Sequence, residues 1–328
     1  MSTGRSGETG RAARPGGEAE ARPGRAAARM RGVLCAVAAG TAAALAGCGG
    51  GGGDGAAPAT FNMVAAGDIA QCFNGPAAAS VAARTAALVR SDDAFVLTLG
   101  DNAYENGTPE EFANCFHPTW GAFKDRIRPA YGNHDSYTPD GAGYFGYFGA
   151  QAGADRLGYY SFDYRGWHVI VLNSVSDDLS TDSPQYKWLV ADLERTRGTQ
   201  CTIAVWHYPY YNSGEKYGSY WPIKPFFEAL YKGGVEMVLS GHEHLYERFA
   251  AQNANGVADP VRGVRQFVVG TGGHELNKLG TPMANSEVRI EGVWGILRLT
   301  LGEGSYSWRF MPLGGGAALD SGQDVCHR

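Results

Sequence analysis

Five apolar runs in this 328-residue chain end in the same way. Val64-Ala65-Ala66-Gly67 gives way to Asp68, and Leu97-Thr98-Leu99-Gly100 to Asp101, with Tyr104 three residues on. Pro129-Ala130-Tyr131-Gly132 leads into Asn133-His134-Asp135. Ile203-Ala204-Val205-Trp206 stops at His207, and Val238-Leu239-Ser240-Gly241 at His242-Glu243-His244. Runs that are apolar throughout suit strands buried on both faces. Open α/β sheets place their sites just past the carboxyl ends of such strands, and here every end carries a carboxylate, amide or imidazole. Glycine precedes four of the five, which suits tight turns. Alone, a strand-end Asp is a turn former or helix N-cap, and His207 beside Trp206 reads as a satisfied core residue. Five such ends in one chain point instead to a shared site.

The pattern around these ends is that of a single α/β domain over residues 61–313. Strand-like runs cover 61–68, 94–101, 127–135, 167–174, 201–209, 235–244 and 265–273, and helical composition covers 76–91, 109–126, 184–197 and 222–233. Such alternation indicates sheets covered on both faces. Residues 293–313 alternate around Gly302-Glu303-Gly304 and predict an antiparallel hairpin, followed by a C-terminal tail over 314–328. Gly141-Ala142-Gly143-Tyr144-Phe145-Gly146 fits G-x-G-x-x-G by letter. It follows Pro139-Asp140 and not a strand, so the dinucleotide context is missing and it reads as a loop.

The first sixty residues are of another kind. Residues 1–29 are rich in Arg, Gly and Ala without apolar periodicity, a composition expected to be disordered. Arg29 and Arg31 then precede an apolar stretch from Val33 to Ala46 that ends in Leu45-Ala46-Gly47-Cys48 and a glycine run. That stretch is shorter than the about 20 residues of a membrane span and reads as a secretory signal. Residues 1–47 are thus leader and signal, and 48–60 a glycine-rich linker. Leu-Ala-Gly-Cys resembles a bacterial lipobox, which implies a lipid anchor on Cys48 as the only membrane contact.

Residues 1–47 hold seven of the 28 Lys and Arg and three of the 33 Asp and Glu, leaving 21 basic and 30 acidic residues, a net of −9. No basic cluster among them offers a nucleic-acid track. An anionic substrate would have to be attracted by something other than side-chain cations. Beyond the signal, Cys72, Cys115, Cys201 and Cys326 form no C-x-x-C motif and suit disulfides in an oxidising compartment. Of the three pairings, Cys72–Cys115 with Cys201–Cys326 is favoured, since the first two follow strand ends and the last would pin the C-terminus.

The order GD, GDxxY, GNHD, H, GHxH resembles the calcineurin-like metallophosphoesterases, and Tyr104 makes it similar to their purple acid phosphatase branch. "GHEHLYERF" and "HYPYYNSG" add to the likeness, which spans 61–313. It implies a four-layer α-β-β-α sandwich of two mixed sheets with two metals at the carboxyl ends of the strands. Asp68, Asp101, Tyr104 and His244 would hold the first metal; Asp101, Asn133, His207 and His242 would hold the second, with Asp101 bridging. A phenolate favours Fe(III), and the remaining donors suit a divalent Fe, Zn or Mn. His134 would protonate the leaving group. Three anionic donors against a trivalent and a divalent cation leave the site net positive, enough to bind phosphate and lower the pKa of the attacking water.

The implied activity is that of an exported phosphomonoesterase acting on small phosphate esters. A phosphodiesterase for nucleotides or lipid head groups is the nearest rival, and a non-catalytic metal- or ligand-binding lipoprotein the rival from another class. Two departures bear on this. Many relatives outside the purple branch carry His where this chain has Ala70, and plant-like members carry phosphate-gripping histidines where residues 210–221 hold only Lys216 and tyrosines. His117, His168, His274 and His327 match no motif, and the oligomeric state is left open.

Overall fold

The computed structural model describes residues 59–72 and 75–327. The leader, the signal, most of the glycine linker and Cys48 lie outside them. In chain order the strands are Phe61–Ala66 (β1), Ala70–Gln71 (β2), Asp93–Leu99 (β3), Ala103–Tyr104 (β4), Ile127–Ala130 (β5), Tyr160–Tyr164 (β6) and Trp167–Val171 (β7). Cys201–Val205 (β8), Met237–Ser240 (β9), Tyr246–Phe249 (β10), Arg265–Val269 (β11) and Ser286–Ile290 (β12) follow, then Gly295–Gly302 (β13), Ser305–Pro312 (β14) and Asp320–Val325 (β15). The helices are Val81–Ala86 (α1), Pro109–Glu111 (α2), Ala142–Phe148 (α3), Pro184–Thr196 (α4) and Lys224–Gly233 (α5).

The strands form a six-stranded sheet, β15-β14-β13-β1-β3-β5, and a seven-stranded one, β12-β10-β11-β9-β8-β7-β6. Both are mixed. In the first, β1, β3 and β5 run parallel and β13 joins β1 antiparallel. In the second, β7, β8, β9 and β11 run parallel, with β6 and β10 antiparallel at their flanks. One buried cluster joins Met63, Leu97 and Leu299 of the first sheet to Val169, Ile203 and Leu239 of the second, so the sheets pack face to face. A second cluster covers the outer face of the seven-stranded sheet with Leu189 of α4 and Phe226 and Leu230 of α5. A third covers the other outer face with Ala82 of α1 and Tyr144 and Phe148 of α3. The order helix, sheet, sheet, helix is the expected four-layer sandwich.

Local signals explain the helices. Ser80 caps α1 by accepting from the Ala83 N–H, Ser183 caps α4 with Pro184 behind it, and α5 ends at the left-handed Gly234. The region 109–126, expected as one helix, breaks into α2, a π turn at 112–116 and a 3-10 run at 120–126. The hairpin forms as expected, Gly302 pairing with Ser305, and both favoured disulfides are present.

One expectation needs correction. The G-x-G-x-x-G stretch is helical: α3 starts at Ala142, packing the buried Tyr144 and Phe148 inward. Gly143 is required there because a Cβ would lie 2.0 Å from the Gly107 carbonyl oxygen. A 3-10 turn and no strand precedes it, so dinucleotide binding still finds no support. The stretch expected as a C-terminal tail contains β15, the edge strand of the six-stranded sheet. Among the described residues no helix is long and apolar enough to cross a membrane.

Candidate metal centre

All five polar strand ends converge. Asp68 Oδ1 accepts from the Tyr104 hydroxyl at 2.8 Å and lies 3.2 Å from His244 Nε2; its Oδ2 accepts the His242 backbone N–H at 2.8 Å. Asp101 Oδ2 accepts from the same hydroxyl at 3.0 Å and lies 3.3 Å from His207 Nε2. His207 Nε2 is in turn 3.1 Å from Asn133 Oδ1. Asp101, His207 and His242 each bring a donor atom within 4.8 Å of the others. His134 stands beside this set, its Nε2 3.9 Å from Asp101 Oδ2. The seven candidate ligands and the candidate acid therefore share one site.

The backbone is bent to achieve this. Asp68, Asp101 and His242 have φ of 60°, 49° and 69°, a left-handed conformation that non-glycine residues hold at a cost and that clusters at functional sites. Past the six-stranded sheet, the chains after β1 and β3 stay together: Asp68, Ile69 and Ala70 donate to the carbonyls of Gly100, Asp101 and Asn102. The ladder ends in the β2–β4 pair, which sets Tyr104 opposite Gln71. That pairing turns the phenol back onto both carboxylates. Gly132 must be glycine, because a Cβ would sit 2.1 Å from the Asp101 nitrogen.

The donor set fits metal. Asp68 and Asp101 are fully or almost fully buried, and among the described residues their charged partners are histidines. Burial alone would raise both carboxyls; His244 holds Asp68, and His207 with His134 holds Asp101, below the usual carboxylate range. Burial would lower His207, but Asp101 lifts it to about 9, while burial and the His207 charge push His242 down to about 3. His207 Nδ1 meets the Leu99 carbonyl at 2.8 Å and His244 Nδ1 the Glu275 carbonyl at 2.6 Å. These contacts make Nδ1 the proton-bearing nitrogen and leave Nε2 to face a cation. Burial first, then Asp101 and Asp68, raise the Tyr104 phenol well above its ordinary value, so its ionisation needs a strong cation against it.

Three participants were not assigned from the sequence. Asp135 is buried and accepts from the backbone N–H groups of Asn102 and Gly132 at 3.1 and 3.0 Å and from Asn102 Nδ2 at 2.9 Å. It ties the loop of Asp101 to the loop of Asn133 and His134. His274 stacks on Tyr104 with ring centres 4.0 Å apart and lies 3.4 Å from His244, nitrogen to nitrogen. It follows β11, whose run over 265–273 reads as a strand in the sequence, so the strand-end rule applied to that run as well would have found it. Glu243 accepts from Asn212 Nδ2, Asn277 Nδ2 and the Tyr217 N–H at 2.8, 3.0 and 3.1 Å, securing the 212–217 loop. Of the other unassigned histidines, His168 is structural, held between Asp163 and Asp192 at 2.6 and 2.7 Å.

Residues 63–246, more than half of the chain, match the model of the calcineurin-like phosphoesterase family. The chain belongs to that family. Within this family of phosphoric ester hydrolases it sits on the purple acid phosphatase-like branch. It is 35% identical over 161 residues to purple acid phosphatase 22 of Arabidopsis thaliana, covering 46% of this chain and 36% of that protein. Against purple acid phosphatase 1 of Ipomoea batatas it is 34% identical over 177 residues, covering 47% and 36%. The aligned parts thus span little more than a third of either plant protein. Among solved structures, the purple acid phosphatase PPD1 of yellow lupin shares the fold at a TM-score of 0.65 and 18% identity, covering 83% of this chain and 55% of that one. GAP50, the anchor in the inner membrane complex of Plasmodium, shares it at 0.62 and 14%, covering 82% and 90%.

Proposed function

We propose that this chain is an exported, two-metal phosphomonoesterase of the acid phosphatase type. The observation that carries the reading is the ring of donors around Asp101. Tyr104 and His207 both contact that carboxylate, Asp68 and His244 group around Tyr104, Asn133 meets His207, His242 brings a donor within 4.8 Å of Asp101 and His207, and His134 is beside it. Asp68, Asp101, Tyr104 and His244 would hold a first cation and Asp101, Asn133, His207 and His242 a second. Bound there, the two cations would supply the charge that holds phosphoryl oxygens and would acidify the attacking water. The cost of ionising Tyr104 beside two carboxylates supports Fe(III) in the first position, with divalent Fe, Zn or Mn in the second.

The chain's own part in the chemistry falls to His134. Its Nδ1 lies 2.6 Å from the Glu105 carbonyl and its backbone N–H donates to Asp101 Oδ1 at 2.8 Å. With Nδ1–H committed to that carbonyl, the ring can release a proton from Nε2 only as the imidazolium. A leaving alkoxide facing Nε2 would take this proton, and Asp135 keeps the His134 loop in register with Asp101.

Two disulfides support an oxidising compartment. Lipidation at Cys48 completes the reading: the mature protein is expected to start at a lipidated Cys48, and a lipid-free N-terminus elsewhere by mass spectrometry would remove the anchor.

The central test is metal analysis of purified protein alongside a panel of phosphate mono- and diesters. Two metals per chain and phosphate release from monoesters are expected, with Asp101→Asn abolishing turnover and losing metal while the circular dichroism stays native. Preference for diesters would make it a phosphodiesterase. Metal binding without turnover would leave a non-catalytic binding protein.

A further inference from the structure

The loop without phosphate-gripping histidines is aromatic: Tyr210 and Tyr211 pack into the core, while Tyr217 and Tyr220, with Tyr208 just before the loop, border the site. Tyr217 stacks on His242, ring centres 4.2 Å apart at 27°, and Tyr208 meets the same imidazole edge-on at 4.5 Å. Tyr220 packs on Tyr208 at 4.5 Å. Across the site, Tyr137 lies against the acid candidate His134 at 4.8 Å, and its hydroxyl accepts from Asn133 Nδ2 at 3.1 Å.

The rim is held in place. The Tyr217 N–H is fixed to Glu243, between the two histidines of the GHEH motif, and the Tyr208 N–H to Ser174 Oγ at 2.9 Å. The Tyr220 N–H donates to the Pro209 carbonyl at 2.9 Å, and residues 213–215 are bound to 278–280 through Glu215 N–H to Lys278 O and Gly280 N–H to Ser213 O. Yet Tyr137 and Tyr217 remain 56% and 41% exposed. Large aromatic surface kept open on a pinned frame is preorganised for a planar partner.

Resting on the function proposed above, we infer that Tyr137, Tyr208, Tyr217 and Tyr220 form a specificity rim selecting phosphate monoesters whose leaving group carries a planar aromatic ring. The ring stacks on the exposed phenols while the phosphoryl group sits over the donor ring around Asp101, with His134 beside it. A nucleobase and a simple aryl group share this chemistry, and the substrates tested separate them.

The test compares pairs with closely similar leaving alcohols, so that stacking is not confused with leaving-group acidity. Adenosine 5′-monophosphate is set against ribose 5-phosphate, and 2-phenylethyl phosphate against ethyl phosphate. The ring-bearing member is expected to show a kcat/KM on the order of 10-fold higher, as one or two aromatic pairs provide. A preference confined to the nucleoside pair or to the phenylethyl pair supports the rim and names its ligand. In Tyr217→Leu and Tyr137→Leu the ratio within each pair should fall toward one, whatever the loss of absolute rate, while Tyr217→Phe should keep it. Both positions are exposed, so neither change threatens the fold. Ratios near one in the wild type, or ratios unmoved in both Leu variants, would overturn the rim. Hydrolysis of no member of either pair would instead count against the phosphatase reading itself.

Discussion

Tyr104 donates to two buried carboxylates and is capped by the His274 ring, so its hydroxyl has no route to water and no reason to ionise without a cation. Iron-loaded, oxidised protein is therefore expected to be pink or purple through a phenolate-to-iron charge-transfer band, and Tyr104→Phe to be colourless. Some activity should survive in that variant if a divalent ion takes the position. A band that persists in Tyr104→Phe would remove the phenol from the ligand set. His134→Ala carries a different signature. Both metals should stay bound while kcat falls about 10²–10⁴-fold, the range of a lost general acid. The deficit should shrink for nitrophenyl esters, whose leaving group needs no proton. An equal loss on alkyl and nitrophenyl esters would make His134 a positioning residue.

At the scale of elements, what was legible followed from burial. β1, β3, β5, β8 and β9 are mostly apolar and buried over their carboxyl-terminal residues because helices or the other sheet cover both faces, and that signal located every polar strand end. The strands missed were of another composition: Tyr160–Tyr164, Tyr246–Phe249, Ser286–Ile290 and Asp320–Val325 mix charged and apolar residues, and pairing with a neighbour decides their state. The same holds for α3, whose glycines read as a loop until Tyr144 and Phe148 find the core. Glu236, at the entry to β9, shows such a long-range tie. It is almost fully buried and accepts N–H bonds from Thr202 and, at 3.1 Å, from His327 beyond the Cys201–Cys326 disulfide. Burial raises its carboxyl from 4.5 to about 7. A folded-state pKa above the unfolded one means its contribution is full below pH 4.5 and fades as pH rises to about 7, by up to roughly 3 kcal/mol. Chemical denaturation of wild type and Glu236→Gln across pH 4.5–7.5 checks this. The variant should lose that part of the slope, and identical slopes would show that Glu236 titrates alike in both states.

For the whole molecule, the question is what keeps two sheets from sliding when the site is built from loops of both. The hydrophobic layer between them is non-directional and cannot fix Asp68 and Asp101 against His207 and His242. Directional contacts can: at the site His207 Nδ1 meets the Leu99 carbonyl and Asp68 accepts the His242 N–H, and a second set lies at the far edge. Asp320 of β15, in the six-stranded sheet, accepts from Tyr246 Oη at 2.6 Å and from Arg248 Nε and Nη2 at 2.7 and 3.2 Å, both residues on β10 of the other sheet. Trp308 Nε1 adds a fourth bond at 3.2 Å. Burial would raise the Asp320 carboxyl, but Arg248 and Tyr246 hold it below the usual range. Removing it leaves a mostly buried guanidinium short of its main partner, a loss of about 3–5 kcal/mol when one member of a buried pair is deleted. Asp320→Ala is thus expected to lower Tm by on the order of 10 °C and to weaken retention of the second metal, whose candidate ligands come from both sheets. Asp324→Ala, four residues along the same strand, removes a partly exposed partner of Arg265 and should cost under about 1 kcal/mol. Equal thermal shifts for the two variants would mean that β15 contributes only its backbone pairing with β14, and that the sheets are held in register elsewhere.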